Sequence, residues 1–154
     1  MKFLAVTAAL VTAAVVTAEL PPPENFTDCA TTPTQLTLTS FTVSPSPLCL
    51  KQQFCYTATG TLNAPLLKGS TISIYGRYLN RLVYTDYLID LCAALTAGGH
   101  TDCNVPAGPV SLKLCRPVRN SFWANVPTQF QTLLTNGDGS IILCQTQRNY
   151  AVNC

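Results

Sequence analysis

From about residue 29 onward, apolar and polar side chains alternate with a period of two over much of the chain. In Gln35 to Thr39, Leu36 and Leu38 alternate with Gln35, Thr37 and Thr39, and after a slip of one residue Phe41 and Val43 resume the pattern. Successive side chains of a strand point to opposite faces, so this run predicts a half-buried strand with a bulge near Ser40. Phe54 to Leu62 is more regular, with Phe54, Tyr56, Ala58, Gly60 and Leu62 on one face and Thr57, Thr59 and Thr61 on the other. Thr71 to Tyr78 and Val110 to Leu114 repeat the alternation with β-branched and aromatic residues. Gln129 to Thr135 and Ser140 to Gln147 flank Asn136-Gly137-Asp138-Gly139, a turn sequence that predicts a hairpin. Helix evidence is confined to Asp86 to Ala97, which Gly98-Gly99 would stop.

Prolines at Pro45, Pro47, Pro65, Pro106, Pro109, Pro117 and Pro127 fall in the predicted connections. Short strands separated by such turns predict an all-β fold, an immunoglobulin-like antiparallel β-sandwich of two sheets. The tryptophan between two core cysteines that marks a true immunoglobulin domain is missing, because Trp123 lies in the loop-like stretch Asn120 to Pro127.

The first residues change the picture of compartment. Met1 and Lys2 precede an apolar run from Phe3 to Val16, and Val16-Thr17-Ala18 has the small residues of a cleavage site, so residues 1–18 are expected to be a signal peptide. The run is shorter than the roughly 20 apolar residues of a membrane span. The mature chain is then expected to be soluble and secreted, or held in the lumen of the secretory or vacuolar pathway. Pro21-Pro22-Pro23 predicts an extended arm over residues 19–28, leaving one domain over 29–154. Eight cysteines in an exported chain predict four disulfides, and Asn25-Phe26-Thr27 makes Asn25 a candidate for glycosylation. No Cys-x-x-Cys pair exists and His100 is the one histidine, so neither a metal site nor a cofactor is expected. Net charge is +2 with lysines and arginines scattered singly, which points to no nucleic-acid partner and marks no anionic membrane.

Candidate catalytic groups are few. His100 sits in the loop Gly98-Gly99-His100-Thr101-Asp102, the acids Asp86, Asp90, Asp102 and Asp138 are dispersed, and no Gly-x-Ser-x-Gly elbow occurs. With every cysteine assigned to a pair there is no thiolate nucleophile, so the expectation is a protein that is not an enzyme.

Several short pieces, taken in order, carry a family resemblance. They are Asp28-Cys29, Ser44-Pro45 ahead of Cys49 and Cys55, the run Tyr56-Thr57-Ala58-Thr59-Gly60-Thr61-Leu62, Asp90-Leu91-Cys92 with Cys103, Pro106-Ala107-Gly108-Pro109, and Cys144. From about Phe26 to Val152 the chain resembles the ML-domain family of secreted lipid-recognition proteins. That family includes the Niemann-Pick type C sterol carrier and the fungal phosphatidylglycerol/phosphatidylinositol transfer proteins, and the fungal branch is the most similar. The resemblance implies a lipid-binding or lipid-transfer protein whose sheets splay to hold a phospholipid or sterol in an internal apolar cavity. It implies transient membrane contact for loading and a monomer. It also implies the pairs Cys29–Cys144, Cys49–Cys55 and Cys92–Cys103. Cys115 and Cys154, a departure from the family's three pairs, are left to each other as Cys115–Cys154.

Taking a two-chain lipid out of a bilayer requires on the order of 20 kcal/mol of apolar contact, at about 0.8 kcal/mol per buried CH₂. Alternation places Leu36, Leu38, Tyr56, Ile72, Ile74, Leu112, Leu114, Phe130, Leu134 and Leu143 on the walls such a cavity would need. Alternation alone is met equally by a filled core, which would make the chain a disulfide-stapled extracellular interaction module without a lipid ligand.

Overall fold

A computed structural model describes residues 25–119 and 123–154 of the 154-residue chain. The expected signal peptide and most of the expected arm lie outside the described residues. In chain order the elements are β1 Thr27–Asp28, β2 Leu36–Ser44, β3 Leu48–Cys49, β4 Gln53–Leu62, β5 Thr71–Tyr78 and β6 Arg81–Asp90. There follow α1 Leu91–Ala97, β7 Gly108–Pro117, β8 Thr128–Thr135, β9 Ile141–Asn149 and β10 Ala151–Val152.

One sheet has the strand order β1-β9-β8-β5-β6 and the other the order β2-β4-β7, with every pairing antiparallel. A short parallel pair, β3 with β10, lies apart from both sheets. The alternation seen in the sequence becomes burial. On β4, Phe54, Tyr56, Ala58, Gly60 and Leu62 are buried on one face, and on β8 Thr128, Phe130, Thr132 and Leu134 are. Pairing of β2 with β4 skips a residue between Leu38 and Ser40, where the phase slip predicts a bulge. The β8–β9 hairpin closes through Asn136, whose backbone N–H donates to the Ser140 carbonyl at 2.8 Å, with Gly139 at a φ of 86° that glycine adopts without strain. Ordered pairing starts two residues earlier than expected, because Thr27 and Asp28 add an edge strand to β9.

Two expectations are corrected. The helix expected over Asp86 to Ala97 starts only at Leu91, since Asp86 to Asp90 finish strand β6, held in register against β5. Arg81 to Asp90 escapes a periodicity reading because it is an edge strand with irregular pairing, its partners shifting between Ile72 and Ile74 and between Gly76 and Arg77. The helix is capped where the strand ends: the Asp90 carboxylate accepts from the Cys92 backbone N–H at 3.0 Å. At its other end α1 rests on β7, and a β-carbon on Gly98 would stand 1.9 Å from the Lys113 carbonyl oxygen, so only glycine fits.

The disulfides are the second correction. Cys29 is bonded to Cys144 and Cys92 to Cys103, but Cys49 pairs with Cys154 and Cys55 with Cys115, in place of Cys49–Cys55 and Cys115–Cys154. The register gives the reason. Cys55 lies directly opposite Cys115 in the β4–β7 ladder, and β10 runs beside β3, which carries the C-terminal Cys154 towards Cys49.

Candidate functional site

The two sheets face each other across the residues that alternation assigns to a lipid cavity. Leu36, Tyr56, Ile72, Ile74, Leu112, Leu114, Phe130, Leu134 and Leu143 are all buried there, and Leu38, beside the bulge, is half-buried against the same core. The register stacks them in rows. On the five-stranded sheet the first row is Ile89, Ile72, Leu134 and Leu143, the next is Asp86, Ile74, Thr132 and Gln145, and the third is Tyr84, Gly76, Phe130 and Gln147. The three-stranded sheet opposes them with the rows Phe41, Ala58, Leu112 and Val43, Tyr56, Leu114.

These faces meet rather than stand apart. A void of about 10 Å³ remains between them, lined by Leu48, Phe54, Tyr56, Ile74, Tyr84, Val118 and Phe130. That is barely room for one water molecule. An open lipid cavity was the expectation, and interdigitated leucines and aromatic rings fill its place. Phe41 stacks on Tyr56 with ring centroids 5.2 Å apart, and Phe26 meets the Phe41 ring edge-on at 4.6 Å.

The interior also holds polar groups that hydrophobic alternation cannot reveal. Asp86 on β6 has a fully buried side chain, and two hydrogen-bond donors and a further guanidinium converge on its carboxylate. Arg116 of β7 approaches at 3.3 Å, Arg119 at 2.8 Å, and the Tyr84 hydroxyl donates at 3.0 Å. Because β6 and β7 are edge strands of different sheets, this cluster joins the two layers along one side. Burial, and then the Asp86 carboxylate beside it, pushes the Tyr84 hydroxyl well above the ordinary tyrosine value. Burial likewise pushes Tyr56 up to about 12, against the opposing pull of a hydrogen bond with Thr132 on the other sheet. Both tyrosines are therefore neutral across the physiological range.

A second hollow, of about 530 Å³, lies at the opposite end beside α1, against Leu66, Leu67, Leu91 and Leu95, with Asp90 and Asp102 on its rim. Both acids have local structural roles there, Asp90 as the helix cap and Asp102 accepting from the Asn104 backbone N–H at 2.8 Å. His100 is likewise tied to the fold, its Nε2 accepting from the Lys113 backbone N–H at 3.2 Å. Among the described residues no three His, Cys, Asp or Glu side chains gather to hold a metal ion, and no helix is long and apolar enough to cross a membrane. Asn25, ahead of β1, is exposed.

The fold is shared with known proteins. The ML domain family model matches residues 24–150, most of the chain. The chain belongs to the ML domain family. A Niemann-Pick type C2 protein from Japanese carpenter ant has a similar fold, with a TM-score of 0.61 at 12% identity over 82% of this chain and 98% of that one. Chicken MD-1, solved in complex with lipid IVa, matches at a TM-score of 0.48 and 15% identity over 71% of this chain and 80% of its own. No curated protein matches this ML domain by sequence.

The positions this reading missed have physical signatures of their own. Tyr84 and Asp86 lie on the strand whose alternation is interrupted by two register shifts. Leu48 belongs to a strand of two residues, too short for any period to show.

Proposed function

We propose that this ML domain is a secreted or lumenal lipid-binding protein that takes up a phospholipid or sterol by separating its two sheets, and carries it between membranes. The observation that carries the reading is how the inner faces are held. No disulfide joins a strand of the five-stranded sheet to a strand of the three-stranded sheet. Cys29–Cys144 secures β1 beside β9 within one layer, Cys55–Cys115 ties β4 to β7 within the other, and Cys49–Cys154 fastens the small β3–β10 pair. Each layer is stiffened, while the contact between them is apolar packing with a few polar links, namely the Asp86 cluster, the Tyr56–Thr132 hydrogen bond and the hydrogen bonds of Gln35 to Asn136, Ser140 and Ile141. A lipid that replaces the packing with its own chains therefore recovers most of what it displaces. Family membership supports the same reading. Carriage would need transient membrane contact for loading, and the oxidised cysteines fit an exported compartment.

A second reading rests on the nearly absent void: a filled core, with the protein acting as a disulfide-stapled interaction module. Native mass spectrometry separates the two. After incubation with vesicles of mixed phospholipids and sterol, the carrier reading predicts recovery of protein with one lipid bound, and the class of that lipid names the ligand. Recovery of lipid-free protein from every class tested would leave the interaction module.

A further inference from the structure

Lysines and arginines that look scattered in the sequence are gathered by the fold. Of the eight among the described residues, Lys51, Arg77, Arg81, Arg116, Arg119 and Arg148 lie at one end of the sandwich, leaving Lys68 and Lys113 elsewhere. The register places them. Arg77 is opposite Gln129, which is opposite Arg148, and Arg81 is opposite Tyr78 at the tip of the β5–β6 hairpin. On the other layer Arg116 is opposite Phe54, and the Val118 backbone N–H donates to the Gln52 carbonyl, which brings Arg119 close to Lys51. Of the five described acids, Asp86 is buried beneath Arg116 and Arg119, Asp28 sits level with it on the far edge strand β1 opposite Gln145, and Asp90, Asp102 and Asp138 lie towards the opposite end.

Four of the seven exposed large apolar side chains among the described residues occupy the same end, while Leu67, Tyr87 and Leu88 lie elsewhere. Tyr78, Leu79 and Leu82 crown the β5–β6 hairpin, and Trp123, 64% exposed, precedes Ala124, which is bridged to Ala151 of β10. Leu79 is the most telling. It is 78% exposed and forms the two-residue turn with Asn80, both at positive φ (48° and 62°). Asn or Gly suits such a turn, and leucine is disfavoured there. A large apolar residue left this exposed in a turn that disfavours it contributes little to the stability of the described fold.

We propose that this end of the sandwich is a docking surface for an anionic lipid bilayer, with Leu79, Leu82 and Trp123 entering the interface and Lys51, Arg77, Arg81 and Arg148 meeting lipid phosphates. The cations select a negatively charged partner. The apolar tip selects a bilayer over a nucleic acid, whose backbone offers nothing for a leucine to enter. The void between the sheets is lined by Leu48, Phe54, Val118, Tyr84 and Phe130 from this same end, so docking would bring the inner faces to the membrane. In that respect the inference builds on the carrier reading, but intact vesicles test docking without any lipid being extracted.

The experiment is co-sedimentation of the full chain with phosphatidylcholine vesicles with and without phosphatidylglycerol, at low and high salt, with the emission of Trp123, the one tryptophan, as a second readout. Expected are binding to the anionic vesicles alone, loss in high salt, and a blue shift of the tryptophan. The paired change Arg77→Gln and Arg81→Gln should weaken partitioning roughly 20- to 30-fold, at about fivefold per cation. Lys68→Gln with Lys113→Gln should leave it unchanged. Leu79→Asn should weaken vesicle binding and at the same time raise Tm, since it relaxes the turn, so a folding defect cannot imitate the result. Equal binding to neutral vesicles, equal loss from the Lys68 and Lys113 changes, Leu79→Asn binding as wild type, or binding to RNA but not to vesicles would each overturn the proposal. Docking without a retained lipid would contradict the carrier reading alone.

Discussion

Asp86 shows at the scale of one residue what a linear pattern conceals. In the sequence it is one of several dispersed acids, while in the structure it is the fully buried centre of a cluster that spans both sheets. Its arginines differ in setting, for Arg116 is 17% exposed at its side chain and Arg119 is 53% exposed. Removing one member of a buried ion pair leaves an unsatisfied charge, whereas a half-exposed partner is rehydrated. Asp86→Ala is therefore expected to cost about 3 kcal/mol or more in a urea titration, and Arg119→Ala less than about 1 kcal/mol. Equal costs would mean that the cluster does not join the sheets in the way described. No periodicity argument could have found this residue, because its burial depends on arginines from a strand and a loop more than 25 positions away.

At the scale of elements, regular alternation was a sound guide wherever a strand is long and its pairing unbroken. β4, β5 and β8 coincide with their predicted runs to within a residue, and the bulge in β2 falls where the phase slips. Two-residue strands and the irregularly paired edge strand β6 were illegible, since their positions are dictated by neighbours and not by their own sequence, whereas the edge strands β2 and β7 showed their alternation. The disulfides failed for the same cause. Cys49 and Cys55 are close in the chain, but β4 carries Cys55 into a ladder opposite Cys115. Peptide mapping of the oxidised protein should recover Cys49–Cys154 and Cys55–Cys115, and a Cys49–Cys55 peptide would contradict the fold. Sequence separations of 115 and 105 make Cys29–Cys144 and Cys49–Cys154 the widest closures, against 11 for Cys92–Cys103. A loop of about 100 residues corresponds to roughly 4.7 kcal/mol and one of about 15 to roughly 3 kcal/mol in the chain-entropy model. Cys29→Ser and Cys49→Ser should thus destabilise by similar amounts, and Cys92→Ser least.

At the scale of the whole molecule, the ten residues assigned to the cavity wall do lie on the facing surfaces, yet those surfaces touch. Alternation specifies which face a side chain joins, and is silent on the distance between two faces, so an empty pocket and a packed core share one sequence pattern. The gathering of cations at one end was equally invisible, because it arises from register across both sheets. For a carrier, the closed form is the state between loads, and lipid chains must displace the contacts between Ile74, Leu112, Leu114 and Leu134. Methyl NMR of the protein with a phospholipid or sterol bearing a spin label on its hydrocarbon part measures this directly. The account predicts that methyl signals of Ile74, Leu112, Leu114 and Leu134 broaden, as the label sits between the sheets. Broadening confined to Leu79 and Leu82, with those inner methyls unchanged, would place the lipid outside a core that never opens and contradict it.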